Sequence, residues 1–444
     1  MASTPAAAQN RLDIGIGCQR YLMAALTAGG KAISYLDRSA LGVALPFMQG
    51  YFHFSDAMKG VVLAAFFWSY GLAQVPSGWL IDRLGVRLIY PLALVWWSLG
   101  TAATGLVRTA NALLGARLAF GLGEAPSVPA DTKVISHWFP RHERAFAFAL
   151  VDTGQFAGTA LAFPLVVALC YSFGWRAAFL ILAAIGILWT GLWLFVYRSP
   201  RLYRWISARE LEYIETHGAH LDERAGAPRP TSTAALKWKD LFRYRTVWGL
   251  FFAYICRSFV LYFFITWFPT YLYDAHHLTK ARLGIFGALP ALFSVGASWG
   301  GGLLSDHLVA RGLGMGLARK IPLAGGLLLA STIAIAGVSH SLTLAILCMV
   351  LSNCSLALGS GAALSLPADV APSSESVASI SGIQNFGSQL GGVVSPIVIG
   401  ALLAFNHGSF ALPLAVSGAV SALGALLYAV VVKVEPLGGR RGRY

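Results

Sequence analysis

Gly78-Trp79-Leu80-Ile81-Asp82-Arg83-Leu84-Gly85-Val86-Arg87 decides how this chain folds. These ten residues close one apolar run, 57–81, and open the next, 87–107. Each run is long enough to cross a ~30 Å hydrocarbon core as a helix, which takes about 20 apolar residues. Helical backbone satisfies its own N–H and C=O groups, which lipid cannot do. The stretch therefore reads as the tight charged turn of a helical hairpin.

Working outward, similar spans read at 20–49, 57–81, 87–107, 110–136, 145–170, 176–197, 246–273, 282–305, 320–339, 341–367, 376–403 and 409–432. Composition agrees. Of 444 residues, 57% are hydrophobic and 12% charged, with mean hydropathy +0.65. A soluble domain carries about 25% charge, so too few charges remain here to wet a globular surface. The 48 Gly and 13 Trp suit membrane helices and their interfaces. Runs of ~20 residues without alternation exclude a β-barrel. The fold class is an all-α membrane protein of 12 transmembrane helices. The first 20 residues are polar or small, so no cleavable signal peptide is expected.

A net charge of +14 would point to nucleic acid in a soluble protein. Here the basic residues lie mainly in alternate loops: Arg83 and Arg87, Arg141 and Arg144, the stretch 198–245, Arg311, Arg319 and Lys320, and the tail Arg440, Arg441 and Arg443. The positive-inside rule puts that side, with both termini, in the cytoplasm. The organisation expected is a first six-helix bundle over 1–197, a cytoplasmic loop over 198–245, and a second bundle with its tail over 246–444. In the loop, Ser207–Ile214 reads as a short amphipathic helix and Ala225–Thr233 as linker. The five Cys, including Cys18, Cys170, Cys256 and Cys354, have no ligand spacing and read as small hydrophobes. Gly302-Leu303-Leu304-Ser305-Asp306 repeats the Gly-to-Asp spacing of Gly78 and Asp82 at the end of the equivalent helix of the second half. Paired halves are the construction of alternating-access transporters.

The opening stretch resembles the signature G-x-L-x-D-R-x-G-x-R of the major facilitator superfamily. Its residues here are Gly78, Asp82, Arg83, Gly85 and Arg87, with Asp306 in the repeat; their charges are of a kind that holds one conformation and releases in another. Tyr35-Leu36-Asp37-Arg38, Trp68–Pro76, Gly123-Glu124-Ala125-Pro126-Ser127, Trp138-Phe139-Pro140, Thr266–Leu272 and Ser395-Pro396-Ile397 are similar to the anion:cation symporter family, above all to its bacterial galactonate, glucarate and hexuronate carriers.

Charges inside the spans are the candidates for function, since each costs roughly 2.5–3.5 kcal/mol on insertion scales. They are Lys31, Asp37 and Arg38 in the first span, Arg117, Glu124 and Asp131 in the fourth, Asp152 in the fifth and Arg257 in the seventh. Lys31, Tyr35 and Arg38 share one stripe. Asp37 points about 100° away from Arg38, towards the fourth span. These charges either pair with one another and hold helices together or serve a substrate. Arg117 reads as a partner of Glu124 or Asp37, while Asp131 and Lys133 near the water read as structural pairs. Arg38 suits a carboxylate because its planar fork binds one in bidentate fashion.

The resemblance implies that Asp37 and Glu124 carry protons, that Arg38 contacts substrate and that Arg117 partners the glutamate. It also implies that Tyr35, Tyr70, Gln155 and Asn385 offer hydrogen bonds in the cavity. Lys31, Arg257 and Asp152 depart from the family pattern, as does Leu364 in place of a Trp. Four deep cations (Lys31, Arg38, Arg117, Arg257) against three anions (Asp37, Glu124, Asp152) favour an anionic substrate. Lys31 and Arg257 read either as contacts for a second carboxylate or, for Lys31, as a partner of the charge partner Asp152 or a side chain that snorkels towards the cytoplasm.

The function expected is proton-coupled symport of a small organic anion, a sugar acid or a dicarboxylate such as an aldarate or tartrate. An exchanger or efflux carrier for an organic or aromatic acid is the alternative, and a transporter-like sensor is the alternative of another class. No enzyme is expected, because no nucleophile–base constellation is visible, and neither is a cofactor, a metal or a nucleic-acid partner. A monomer in the bacterial inner membrane is expected, with the bilayer, protons and a small anion as partners.

Overall fold

The computed structural model describes residues 17–140, 143–217, 238–371, 374–435 and 437. Among these the regular structure is helical. The first half holds α1 (Gln19–Phe52), α2 (Asp56–Leu84), α3 (Val86–Leu106), α4 (Ala110–Glu124), α5 (Ser127–Trp138) and α6 (Arg144–Val196). The connection holds α7 (Ala208–Thr216) and α8 (Trp238–Leu241). The second half holds α9 (Arg245–Thr266), α10 (Phe268–Asp274), α11 (Lys280–Phe286), α12 (Leu289–Ala310), α13 (Met315–Ala330), α14 (Ile333–Val338), α15 (Leu342–Leu358), α16 (Ser360–Val370), α17 (Ser374–Phe405) and α18 (Ala411–Leu426).

The twelve spans are α1, α2, α3, α4–α5, the two limbs of α6, α9–α10, α11–α12, α13–α14, α15–α16, α17 and α18 with the π turn Leu427–Val431. The interruptions have local causes. Gly174 adopts φ 79° and folds α6 into two limbs, a conformation that glycine enters without steric cost. Pro126 follows the end of α4, where its missing N–H can continue no helix. Ser331 and Thr332 turn their hydroxyls back onto the carbonyls of Leu328 and Leu329 between α13 and α14. Length and apolarity alone qualify eight helical stretches as membrane spans. α1, α2 and α4–α5 are not among them, and α1 and α4–α5 hold most of the buried charges of the first half.

Small residues set how closely the spans approach. A Cβ on Gly154 or Gly158 of α6 would fall on the carbonyls of Ala28 and Ala32 in α1, so these two helices touch backbone to backbone. Ser98 of α3 meets Gly186, and Phe120 of α4 meets Gly100. Contacts between the halves concentrate at one end. Gly60 of α2 abuts the carbonyl of Pro396, a Cβ on Gly400 would stand 2.6 Å from the carbonyl of Asp56, and Gly42 faces the carbonyls of Ile265 and Thr266. Gly284 and Gly287 pack on Pro164 and Phe163. Further along, Phe67 and Tyr262 place ring centroids 4.3 Å apart, and Asn385 donates to Gln74 at 3.0 Å. Beyond that level Gly78 and Gly382 have no described neighbour within 4 Å. These contacts between the halves thus lie mainly towards the end remote from the basic turns.

At the basic end α7 docks on the first half. Its N-cap is Ser207, whose hydroxyl accepts from the Glu210 N–H at 3.1 Å. Glu210 is itself buried and accepts from the backbone N–H of Gln19 and Arg20, satisfying donors at the start of α1 that no side chain of α1 reaches. Arg20 bridges Glu143 at 2.9 Å and Glu210 at 3.3 Å, and Tyr213 donates to Glu143 at 2.8 Å. Burial, aided by that hydrogen bond, pushes the Tyr213 phenol up to about 12, so it remains a donor at neutral pH. The second half has its own polar tie, Arg319 to Asp369 at 3.3 Å and to Ser305 at 3.1 Å.

Gly158→Val should lower the melting temperature of the purified protein markedly, because it forces α1 and α6 apart at a cost of about 1–3 kcal/mol or more. Gly191→Val, at an exposed glycine with no neighbour within 4 Å, should leave it nearly unchanged. Equal melting temperatures for the two variants in a thermal-unfolding assay would contradict the backbone contact.

Candidate functional site

The centre of the first half is a buried ion pair between α1 and α4. Arg38 and Glu124 are 6% and 0% exposed. The Arg38 Nε donates to Glu124 Oε1 at 2.6 Å, and one terminal nitrogen pairs with the same oxygen. Ser34, one turn before Arg38, donates its hydroxyl to that oxygen as well. The other carboxylate oxygen, Oε2, is buried with no hydrogen-bond partner among the described residues. The guanidinium lies against three rings, Tyr35 at 4.6 Å, Phe66 at 4.6 Å and Tyr70 at 4.8 Å. Such faces attract a cation electrostatically, and here they hold its fork on the α1 stripe that the spacing defines.

Arg117 was read as a partner of Glu124 or Asp37, and it lies near both. It is buried and stacks over Phe120 at 4.5 Å. It makes no ion pair within 4.0 Å among the described residues, and its Nε has no partner. Arg38 rather than Arg117 holds Glu124. Both lie near Asp37, whose surroundings are Glu124, Arg117, Thr101 and Trp97. Neither oxygen of Asp37, at 1% exposure, has a hydrogen-bond partner among the described residues. The turn of about 100° from Arg38 does direct Asp37 to the third and fourth spans.

Lys31 is already occupied. It forms ion pairs with Asp152 of α6 and with Asp131 of α5, the latter at 3.6 Å. The alternative in which Lys31 pairs with Asp152 is the one the structure has, with Asp131 added. Asp131, read as a structural pair near the water, makes its ion pair with Lys31. Arg257 on α9 has no ion pair with a carboxylate among the described residues. It donates to Ser360 at 2.7 Å and to the carbonyl of Leu356 at 3.3 Å, its Nε is buried without a partner, and the Tyr254 ring lies 5.6 Å away.

Tyr70 accepts from Gln74 at 3.2 Å, and Gln74 accepts from Asn385, so one short chain links the Arg38 aromatic box to the second half. Gln155, on the α6 limb that carries Asp152, is partly exposed. Of the turn residues, Gly85 alone separates α2 from α3, at φ 82°. Arg83 and Arg87 are exposed, Arg83 lying 5.4 Å from the Trp79 ring. Gly78 has open space beside it, and the side chains of Asp82 and Asp306 lie outside the described ones. Leu364 is exposed.

Ser34, Gln74 and Ser360 were not singled out from the sequence. Ser34 lies four before Arg38 and Gln74 four after Tyr70, so helical spacing from a charged or aromatic anchor is the signal that finds both. Ser360 has no such signal; it faces Arg257 only because the span breaks at Gly359.

Residues 27–396 match the model of the Major Facilitator Superfamily. The chain is 34% identical over 421 residues to the "D-galactonate transporter" of Escherichia coli O6:H1 (strain CFT073), covering 94% of this chain and 96% of that protein. It is 32% identical over 424 residues to the "Probable galactarate/D-glucarate transporter GarP" of Escherichia coli (strain K12), covering 93% and 94%. Among solved structures, a bacterial homolog of the human lysosomal transporter Spinster superposes with a TM-score of 0.73 at 19% identity, covering 93% of this chain and 97% of that one. The chain belongs to the Major Facilitator Superfamily and is a multi-pass membrane transporter, not an enzyme.

Arg38→Met should destabilise the protein by about 3–5 kcal/mol, because it strands a buried carboxylate. Arg38→Met combined with Glu124→Leu should recover most of that loss. Chemical unfolding in detergent decides between them: a double variant as unstable as the single one would mean that the pair is not the source of the cost.

Proposed function

We propose that this transporter carries a small organic anion, a sugar acid or sugar diacid, into the cell together with protons. The observation that carries the reading is the Arg38–Glu124 pair with an orphaned Glu124 oxygen beside it. An arriving substrate carboxylate competes with Glu124 for the Arg38 fork. Once the fork turns to the substrate, Glu124 is left as a buried carboxylate without its cation. A proton then neutralises it at lower cost than desolvation of the bare charge. Asp37, enclosed beside Thr101 and Trp97, is the second proton carrier, and Arg117 is the mobile counter-charge between the two. Anion and proton thereby share one electrostatic switch.

The relatives' names supply the substrate class, galactonate for one and galactarate or glucarate for the other. Arg257 favours a diacid, since it is a deep cation with no ion pair to a carboxylate among the described residues. Tyr35, Tyr70, Gln155 and Asn385 supply hydroxyl contacts. Lys31, held by two carboxylates, is left out of the substrate contacts. In this reading the chain is a monomer of the inner membrane with both termini in the cytoplasm. The bundles 1–197 and 246–444 rock about the site, while 198–245 connects them and the turn Asp82–Arg87 with Asp306 steadies one state. Contacts between the halves that lie mainly away from the basic end correspond to a site that faces inward.

In proteoliposomes with an inward proton gradient, Glu124→Gln should abolish accumulation of D-galactonate or galactarate while leaving exchange across the membrane measurable. Gradient-driven accumulation by that variant would remove Glu124 from the mechanism. Arg257→Gln should weaken galactarate binding by about ten- to a hundredfold, the scale of one or two charge-assisted hydrogen bonds, and galactonate binding much less. Equal losses for the two ligands in a thermal-shift titration would count against a diacid.

A further inference from the structure

The first half contains a second cation–carboxylate couple in register with the first. Lys31 and Arg38 stand seven apart on α1, and Glu124 and Asp131 stand seven apart on the antiparallel α4–α5 span. Arg38 meets Glu124, and Lys31 meets Asp131. Seven residues are two helical turns, about 10.5 Å, so the second couple lies two turns nearer the basic end. It differs from the first in having an outlet. Asp152, the other partner of Lys31, has a side chain 33% exposed, whereas that of Asp131 is 5% exposed.

Between the two couples lies a buried hydroxyl. Tyr90 of α3 is 1% exposed, and its hydroxyl has no hydrogen-bond partner among the described residues. It points at α1 beside Lys31, because a Cβ on Gly30 would collide with its oxygen. The two charges that act on it are Asp131 and Glu124. Asp131 also keeps one buried oxygen, Oδ1, without a partner. The charged groups facing Asp131 are Lys31 from α1, Asp152 from α6 and Glu124 from α4, with Tyr90 from α3. The Tyr90 hydroxyl thus lies near both Glu124 and Asp131, and each of the three keeps a polar atom without a partner among the described residues.

We propose that Glu124, Tyr90, Asp131 and Asp152 form a proton path from the substrate site to the water at the basic end, with Asp131 as its relay station. A proton leaving Glu124 passes through water to the Tyr90 hydroxyl, and the hydroxyl gives its own proton, again through water, to Asp131 Oδ1. Asp131 passes it to Asp152, which releases it to water. Lys31 stays an ammonium throughout and screens the two aspartates, so that the relay never holds two bare carboxylates side by side. Tyr90 and Asp131 are positioning and relay groups and do not contact substrate.

The path rests on Glu124 as a proton carrier, and its test can be made without transport. In purified protein, a pH jump followed by infrared spectroscopy should show a protonated-carboxyl band that Glu124→Gln removes. Asp131→Asn and Tyr90→Phe should slow the rise of that band by on the order of a hundredfold, the scale lost when a positioned proton-transfer group is removed, without changing its final amplitude. Asp131→Glu should restore much of the rate. An unchanged rate in Asp131→Asn, or no Glu124-dependent band in the wild type, overturns the path. In proteoliposomes Asp131→Asn should slow proton-driven uptake of D-galactonate while leaving galactonate exchange at the wild-type rate. Equal slowing of both would make Asp131 a structural residue. Failure of the wild type to accumulate galactonate against a normal infrared result would sink the symport reading and leave the relay standing.

Discussion

The Arg38–Glu124 pair is the interaction on which the rest of the first half depends. Either charge alone at this depth would be expelled or neutralised, since desolvation of an isolated ion outweighs any packing gain. Together they are tolerable only because Ser34 adds a hydrogen bond and Tyr35, Phe66 and Tyr70 cover the guanidinium. Three groups of α1 and two of α2 are thereby gathered around the ion pair that Glu124 of α4 completes. The second oxygen is unserved. A site so arranged is stable with its own ions in place and responsive to any anion that competes for the fork.

Close helix packing makes that site possible. The glycines of α6 bring α1 within backbone contact, which sets the Lys31–Tyr35–Arg38 stripe at a fixed height against α4, α5 and α6. Glycines of α2 and α17 do the same between the halves, at the end away from the basic turns. The molecule is therefore tight where Gly60 meets Pro396 and loose where Gly78 and Gly382 have no neighbour. In lipid no hydrophobic force holds helices together, so such short-range contacts carry the association.

Much of the fold was legible in the sequence because the bilayer imposes one strong rule. A run of ~20 apolar residues has to be a helix, and charges between the runs mark the turns. The spans read at 20–49 and 57–81 became α1 and α2 within three residues at each end. The interruptions inside spans were not legible, because Ser331-Thr332 and Gly359 break helices through local hydrogen bonding that an apolar average hides. The site was legible as a set of residues and misread as a set of pairs. Helical spacing puts Lys31 and Arg38 on one stripe, but which carboxylate each meets depends on how α4 and α6 rotate against α1. For α6 the contact with α1 runs through Gly154 and Gly158, and nothing in their immediate sequence declares it. Arg117 was accordingly read with Glu124 or Asp37, whereas the ion pair of Glu124 is with Arg38 and that of Asp131 with Lys31.

A single residue, Gly85, joins α2 to α3. With no slack between them the two helices form an angle bracket, and a tilt of either arm turns the other. One arm, α2, bears on the second half from Gly60 to Gln74. The other arm, α3, is wedged into the first half at Gly100, Gly105 and Ser98 and carries Tyr90 on its flank. α2 therefore links the second half, through one residue, to the helix that lies against Asp37, Glu124 and Asp131. The turn that reveals the fold in the sequence is also the elbow through which leverage from one half reaches the buried charges of the other.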